Sequence, residues 1–285
     1  MSRPRTRRTA VHAAVMIVAC ASLGQAHAAA PAPAAAPEAV VPAPTAAAWA
    51  AIARLPDWSG TWSPDIRDQN AQIKTNTVPW KPAVQAQVDH WIAEEQAGRP
   101  KGLLLDCLPH GMPSLILITH NAMEILFTPG RVTMLGESDG NRLRRIWTDG
   151  RGHSPDPDPS FHGESIGHWE RDTLVVDTIG LLPQVYLAVS EAVGIPNNGD
   201  MHISERIHLI APDTLAFDLT IDAPKILTRP WTTRRLYYRK RQKSHEIVEG
   251  VCRQGDFHDA TDQWGNAVFA PTFQQNGNIL PPPAK

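Results

Sequence analysis

From Gly102 onward the chain is a succession of short runs rich in β-branched and aromatic residues, each closed off by a turn signal. Residues 123–127 and 131–135 flank Thr128-Pro129-Gly130, and residues 142–148 follow Glu137-Ser138-Asp139-Gly140-Asn141. Residues 166–169 and 173–178 flank Glu170-Arg171-Asp172, residues 202–210 and 214–222 flank Ala211-Pro212-Asp213, and residues 230–239 and 245–252 flank a charged tip. Nine strands in sequential hairpins make an antiparallel meander, which leaves two raw edges unless it closes. The expected fold is therefore all-β, an up-and-down barrel or a tight sandwich. Almost no helical segment lies between the strands, which disfavours a parallel βαβ architecture. One helix is expected ahead of the sheet, over Pro82–Gln96, with proline in its first turn and Val84, Val88, Trp91 and Ile92 at helical spacing.

The N-terminus reads differently. Arg3, Arg5, Arg7 and Arg8 precede a short apolar run and then Ala26-His27-Ala28, the pattern of a signal peptide over residues 1–28. Residues 17–20 also form a loose lipoprotein box ending at Cys20, so membrane attachment is expected only if that cysteine is lipidated. Thr6-Arg7-Arg8 is a partial twin-arginine signal that lacks the following bulky apolar residues. Residues 29–48 are Ala/Pro-rich and read as an extended tether. One mainly β domain is then expected over residues 49–273, with a tail over 274–285. Removing residues 1–28 deletes four arginines and no acid, leaving 23 basic side chains against 29 acidic ones and moving the formal charge from −2 to −6. Such an acidic surface argues against nucleic acid as a partner. Cys107 and Cys252 are then the remaining cysteines, and an oxidising compartment makes a disulfide between them the default expectation. Gly60-Thr61-Trp62, at the start of the folded part, is similar to the lipocalin signature, in which the tryptophan plugs one end of a barrel.

Alternation along the strands sorts side chains by face. It sets Glu205 in a row with Ile203, Ile207 and Leu209, Glu249 with Ile247 and Val251, and Arg145 with Leu143 and Trp147, so two carboxylates and a guanidinium are expected to line one interior. A carboxylate in such a place must be paired or protonated, which suits acid–base work or a structural ion pair equally. The loop over residues 148–153 offers Asp149, Arg151 and His153 to converge on a ligand at a barrel mouth, or else forms a turn held by Asp149 with Arg151 and His153 solvated; Trp147 and Trp169 are further ligand-binding candidates. Gly163-Glu164-Ser165-Ile166-Gly167 has the spacing of a serine-hydrolase elbow, yet it sits in a predicted hairpin without the following helix that such an elbow needs. His153, His162, His168, His202, Asp156 and Asp158 lack metal-ligand spacing, and no phosphate loop or dinucleotide fingerprint is present. Neither a metal nor a cofactor is therefore expected.

Three segments carry a resemblance. The stretches Arg144-Arg145-Ile146-Trp147-Thr148-Asp149-Gly150-Arg151, Gly167-His168-Trp169-Glu170-Arg171-Asp172-Thr173-Leu174-Val175-Val176-Asp177-Thr178 and His202-Ile203-Ser204-Glu205-Arg206 resemble a family of exported bacterial proteins. Its members run RRIYxDGRxH, GxWEGDTLVVDTxGF and LHxxER in this order, with an early cysteine matching Cys107. The likeness spans residues 107–252, departs at Arg171 (Gly in the pattern) and Leu181 (Phe), and implies export and fold without assigning an activity.

The leading expectation is a periplasmic, cofactor-independent lyase, isomerase or hydratase acting on a small apolar or aromatic molecule inside the barrel. Glu205 or Glu249 would move the proton, Arg145 would stabilise an oxyanion, and His202 or His153 would orient the substrate. The alternatives are a lipocalin-like carrier without chemistry and a structural envelope protein tethered through Cys20.

Overall fold

The computed structural model describes residues 42–99, 109–137, 141–190, 193–250, 260–261 and 267–268. In chain order the barrel strands are β1 (Thr61–Pro64), β2 (Met123–Thr128), β3 (Arg131–Gly136), β4 (Leu143–Trp147), β5 (Glu164–Glu170) and β6 (Thr173–Ile179), then β9 (His202–Ala211), β10 (Thr214–Asp222) and β11 (Trp231–Lys240). They close in the order β1-β11-β10-β9-β6-β5-β4-β3-β2. Between β6 and β9 the chain makes a separate hairpin of β7 (Tyr186–Ala188) and β8 (Gly194–Pro196), and a last pair, β12 (Ala260–Thr261) and β13 (Ala267–Val268), forms its own two-stranded sheet. Helices α1 (Ala46–Ile52), α2 (Ile66–Thr75), α3 (Pro82–Gln96) and α4 (Ser114–Leu117) all precede β2. Residues 46–48 are thus helical and not tether.

The expected barrel is present, and α3 has the expected bounds. Two parts of the meander differ. First, β4 and β5 pair parallel, through only Ile146↔Ser165 and Trp147↔Ile166. The chain therefore leaves β4, runs outside the sheet over residues 148–163, and returns to start β5 beside the strand it left. Second, of the strand expected over 245–252, the described residues 245–250 supply no barrel strand: a 3₁₀ turn covers Lys243–His245, and the described residues beyond it lie outside the barrel strands. Closure comes from the other end of the chain. β1 sits between β11 and β2, with Thr61 paired to both Lys240 and Glu124.

That closure follows from the Gly60-Thr61-Trp62 triplet. Gly60 has a φ of 98° that turns the chain into the strand. Trp62 is wholly buried, donates from Nε1 to the Trp58 carbonyl at 2.9 Å, and carries the Arg239 guanidinium 4.7 Å from its ring centroid. Arg239 also bonds Asp57 Oδ2 at 2.9 Å and the backbone oxygens of Asp57, Ser59 and Pro212 at 2.6, 3.2 and 2.9 Å. Hydrogen bonds from Ser59, followed by the Arg241 and Arg239 guanidinium groups, hold the Asp57 carboxyl far below the usual carboxylate range despite the opposing effect of burial.

Inside, the alternating rows of Val132 and Met134, Leu174 and Val176, Ile203 and Ile207, Leu215, Phe217 and Leu219, and Tyr237 belong to one continuous core. Fully burying each large apolar side chain contributes on the order of 1.5–3 kcal/mol. Helix α4, buried along its whole length, packs into this core, accepting from Tyr237 Oη at the Ile116 carbonyl (3.2 Å) and from Arg235 Nε at the Leu117 carbonyl (3.0 Å).

The turn between β5 and β6 carries a residue in left-handed backbone conformation. Arg171, the first of its two loop residues, has a φ of 54°, and in hairpins a positive φ at that place is ordinarily given to Gly. A side chain there costs about 1–2 kcal/mol, of which Gly's greater unfolded-state freedom offsets part. Arg171→Gly should accordingly raise stability by about 0.5–1 kcal/mol, visible as a higher urea midpoint at unchanged m-value.

Candidate functional site

Adjacent residues on three strands contribute to two polar networks, one on each face of the same patch of barrel wall. Ser165 on β5, Thr178 on β6 and Glu205 on β9 point inward, and their strand neighbours Glu164, Asp177 and Ser204 point outward.

The inner network is centred on Arg144. Its Nη1 donates to Glu205 Oε1 at 3.0 Å and its Nη2 to Glu205 Oε2, while Nε and Nη2 reach Ser165 Oγ at 3.3 and 3.1 Å and Nη2 reaches Thr178 Oγ1 at 3.0 Å. Ser165 and Thr178 share a further hydrogen bond of 2.8 Å. Both charged side chains are fully buried. A bidentate pair with its remaining donors satisfied is the arrangement in which a buried ion pair is tolerated. Sealed in this way, Glu205 cannot touch a substrate. Ser165 lies within a strand, its hydroxyl committed to Arg144 and Thr178, so it forms no nucleophile elbow.

The outer network begins in the excursion between β4 and β5. His153 places Nδ1 3.1 Å from Glu164 Oε2 and Nε2 3.0 Å from Asp177 Oδ2. The other oxygen of Asp177 meets His202 Nε2 at 2.6 Å and accepts from Ser204 Oγ at 3.4 Å. Glu164 is held by the Ser154 amide, which donates to Oε2 at 3.0 Å and to Oε1 at 3.3 Å. The result is an unbroken chain Glu164–His153–Asp177–His202. Its interior member His153 is largely covered, and its terminal member His202 is 46% exposed. Burial works to raise the Asp177 carboxyl, but the hydrogen bonds from His202 and His153 outweigh it and leave the group below its ordinary value.

Glu164 also lines an open groove of about 470 Å³ between β4 and the returning chain, together with Leu143, Arg145, Trp147, Pro157 and His162. Trp147, half-buried on the outer wall, is covered by the Arg151 guanidinium 4.0 Å from its ring centroid. Arg151 in turn grips Asp149 through contacts of 2.9, 3.0 and 2.6 Å, and this pairing holds the Asp149 carboxyl below its usual value.

These placements correct four expectations. Arg145 is exposed and lines the outer groove; on β4 it is Arg144 and Ile146 that face inward, because Arg144 has an ionic partner there and Leu143 and Trp147 do not need burial. Glu249 is exposed, since residues 245–250 form no strand. Trp169 lies away from the others, packed 5.2 Å from Trp58 and 5.6 Å from Phe127 between ring centroids. Glu205 does face inward, its register against β10 being unbroken from Leu215 to Asp222, but as the partner of Arg144. His153, His202, Asp149, Arg151 and Trp147 share the outer wall. Cys107 and Cys252 lie outside the described residues. Among the described residues no group of three or more His, Cys, Asp or Glu is arranged to hold a metal ion. Glu164 and Asp177 are functional candidates that strand alternation and motif spacing do not single out. For Asp177 there is one signal: the DGRxH, VVDT and HxxER segments contribute His153, Asp177 and His202 to the outer chain, whereas Glu164 lies in none of them.

No family model and no curated protein matches this chain.

Two consequences are measurable. Removing one partner of a sealed ion pair strands the other charge, so Glu205→Ala should cost about 3–5 kcal/mol, and the double change Arg144→Met with Glu205→Leu should recover most of it in urea unfolding. Asp177 contributes stability that is present above its unfolded value and lost as pH falls through its lower folded value. Stability should therefore decline as pH drops below the ordinary value of 3.8. In Asp177→Asn that decline should be shallower, and the variant less stable at neutral pH.

Proposed function

We propose that the protein is an exported, cofactor-independent enzyme of the lyase, isomerase or hydratase kind, which moves a proton on a small molecule held in the outer groove. The observation that carries this reading is the continuous chain from Glu164, at the groove, through His153 and Asp177 to the half-exposed His202.

An acid–base group needs an orienting partner and a route for the proton it takes up. Glu164 has both. The Ser154 amide and His153 fix its carboxylate, and the chain behind it ends at an imidazole open to solvent. In the proposed step a C–H or O–H bond of the substrate breaks, its proton passes to Glu164, and the electron pair stays on the substrate. Arg145, on the same groove, supplies positive charge for the developing anion. Trp147, Leu143 and Pro157 give an apolar or aromatic body something to lie against. The barrel interior, filled by the core and the Arg144–Glu205 pair, supports placing the substrate outside. A carrier without chemistry would have no use for the proton route, and a purely structural envelope protein no use for the groove.

Export rests on the Arg-rich leader and Ala26-His27-Ala28. With lipidation at Cys20 the same enzyme would be membrane-anchored; nucleic acid is not a proposed partner.

Proton abstraction can be followed by isotope exchange even where no net product forms. The protein is incubated in D₂O with a panel of small aromatic carbon acids (aryl ketones, mandelate, arylpyruvates), and deuterium uptake at carbon is followed by NMR. Exchange is expected on at least one member, slowed by roughly 10²–10⁴-fold in Glu164→Gln and more moderately in His202→Gln, with thermal unfolding showing both variants folded. Absence of exchange across the panel, or full exchange in Glu164→Gln, would refute the proposal.

A further inference from the structure

A second site lies on a different part of the wall. β1 pairs with β11 only from Tyr237 to Lys240. Below that point helix α2 takes the place of a strand: Asn76 Nδ2 donates to the Thr232 carbonyl at 2.8 Å, and Gln72 Oε1 accepts from Thr233 Oγ1 at 3.2 Å and from Arg235 Nη1 at 3.2 Å. A helix cannot fill the space a strand would, and a cavity of about 150 Å³ remains between α2, α3, β7 and the first half of β11. Its walls are mainly apolar, with Trp80, Val88, Ile92, Ala188 and Trp231 among them.

One charged group faces this cavity. Arg235 is 3% exposed, yet among the described residues no carboxylate lies within ion-pair distance of it. Its Nε is used by the Leu117 carbonyl, and its Nη1 by Gln72, Thr233 Oγ1 (2.7 Å) and the Arg234 carbonyl (2.8 Å). Its Nη2 donates to no described residue. The carboxylate that acts on it, Asp68, does so only through space and after the Tyr237 phenol in size of effect, and that carboxylate already accepts from Gln72 Nε2 at 2.8 Å. The other buried guanidinium groups of the barrel, Arg144 and Arg239, both have carboxylate partners. A guanidinium stays charged in a protein, and leaving it desolvated without a counter-anion is costly. Burial accordingly pushes Arg235 below its usual value.

We propose that this cavity binds a small single-ring carboxylate, whose anionic end meets Nη2 of Arg235 and whose ring lies among Trp80, Val88, Ile92 and Trp231. The size fits: an apolar cavity of about 150 Å³ accepts one benzene-sized ring. The charge fits as well, because carboxylate is the planar anion that a guanidinium edge recognises. The ring adds what inorganic anions lack, contact with two tryptophans. This site shares no residue with the outer groove and stands whether or not the acid–base proposal does.

Isothermal titration calorimetry of the full chain tests it, with benzoate and phenylacetate as probes and benzamide and acetate as controls. Saturable one-to-one binding of at least one aromatic acid is expected. Benzamide should bind at least about tenfold more weakly for want of charge, and acetate likewise for want of a ring. Arg235→Met should weaken the aromatic acid by a similar factor. Because that change removes bonds to α4 as well, Val88→Trp is the second variant: it fills the cavity, leaves Arg235 in place, and should abolish binding while thermal unfolding stays cooperative. The proposal is overturned by an absence of saturable binding of either acid up to about 10 mM, by equal binding of benzamide, or by binding that survives Val88→Trp.

Discussion

The Arg144–Glu205 pair fixes more of this molecule than its two residues. Charges taken out of water must meet their partners with good geometry, and this pair draws in Ser165 and Thr178 as well. Four strands, β4, β5, β6 and β9, are thereby locked in register at one level of the barrel. A slip of one residue in any of them would turn a member of this network toward solvent and leave the buried charges short of a partner. The outer chain is assembled by the same constraint. Because Thr178 faces in, Asp177 faces out; because Ser165 faces in, Glu164 faces out; and because Glu205 faces in, His202 stands on the outer wall beside Asp177. A sealed structural pair thus positions an open acid–base array without taking part in it.

The parallel β4–β5 pair has a matching role. An antiparallel hairpin would have joined these strands by a few residues. A parallel pair obliges the chain to travel back along the barrel, and the returning segment supplies His153 and one wall of the groove. Candidate chemistry sits where the meander is broken.

Much of the barrel is legible in the sequence because hairpins are local: apolar alternation and turn residues at 128–130, 170–172 and 211–213 suffice to place six strands. The Pro82–Gln96 helix is legible for the same reason, proline marking its first turn. What is not legible depends on distant partners. On β4 the large apolar residues Leu143 and Trp147 mark the wrong face, and only Glu205, 61 residues away, reveals that Arg144 belongs inside. β1 is four residues long and has no meaning as a strand until β11 is beside it, so residues 245–252, with a better local pattern, are expected in its stead. Glu164 and Asp177 look like ordinary strand-face acids until the fold brings His153 between them.

Closure by β1 has a consequence for how the chain becomes a barrel. Thr61 is synthesised long before Lys240, its partner across the closing seam, and every other strand pairing is between closer neighbours in the chain. The seam is therefore the contact with the largest loop-closure cost and the last to form on a growing chain. Until β11 arrives, β1 and β10, its two neighbours in the closed barrel, keep open edges that can accept a strand from another molecule. A truncated or stalled chain ending before residue 231 would be left permanently in that state, with its N-terminal strand acting as an adhesive end.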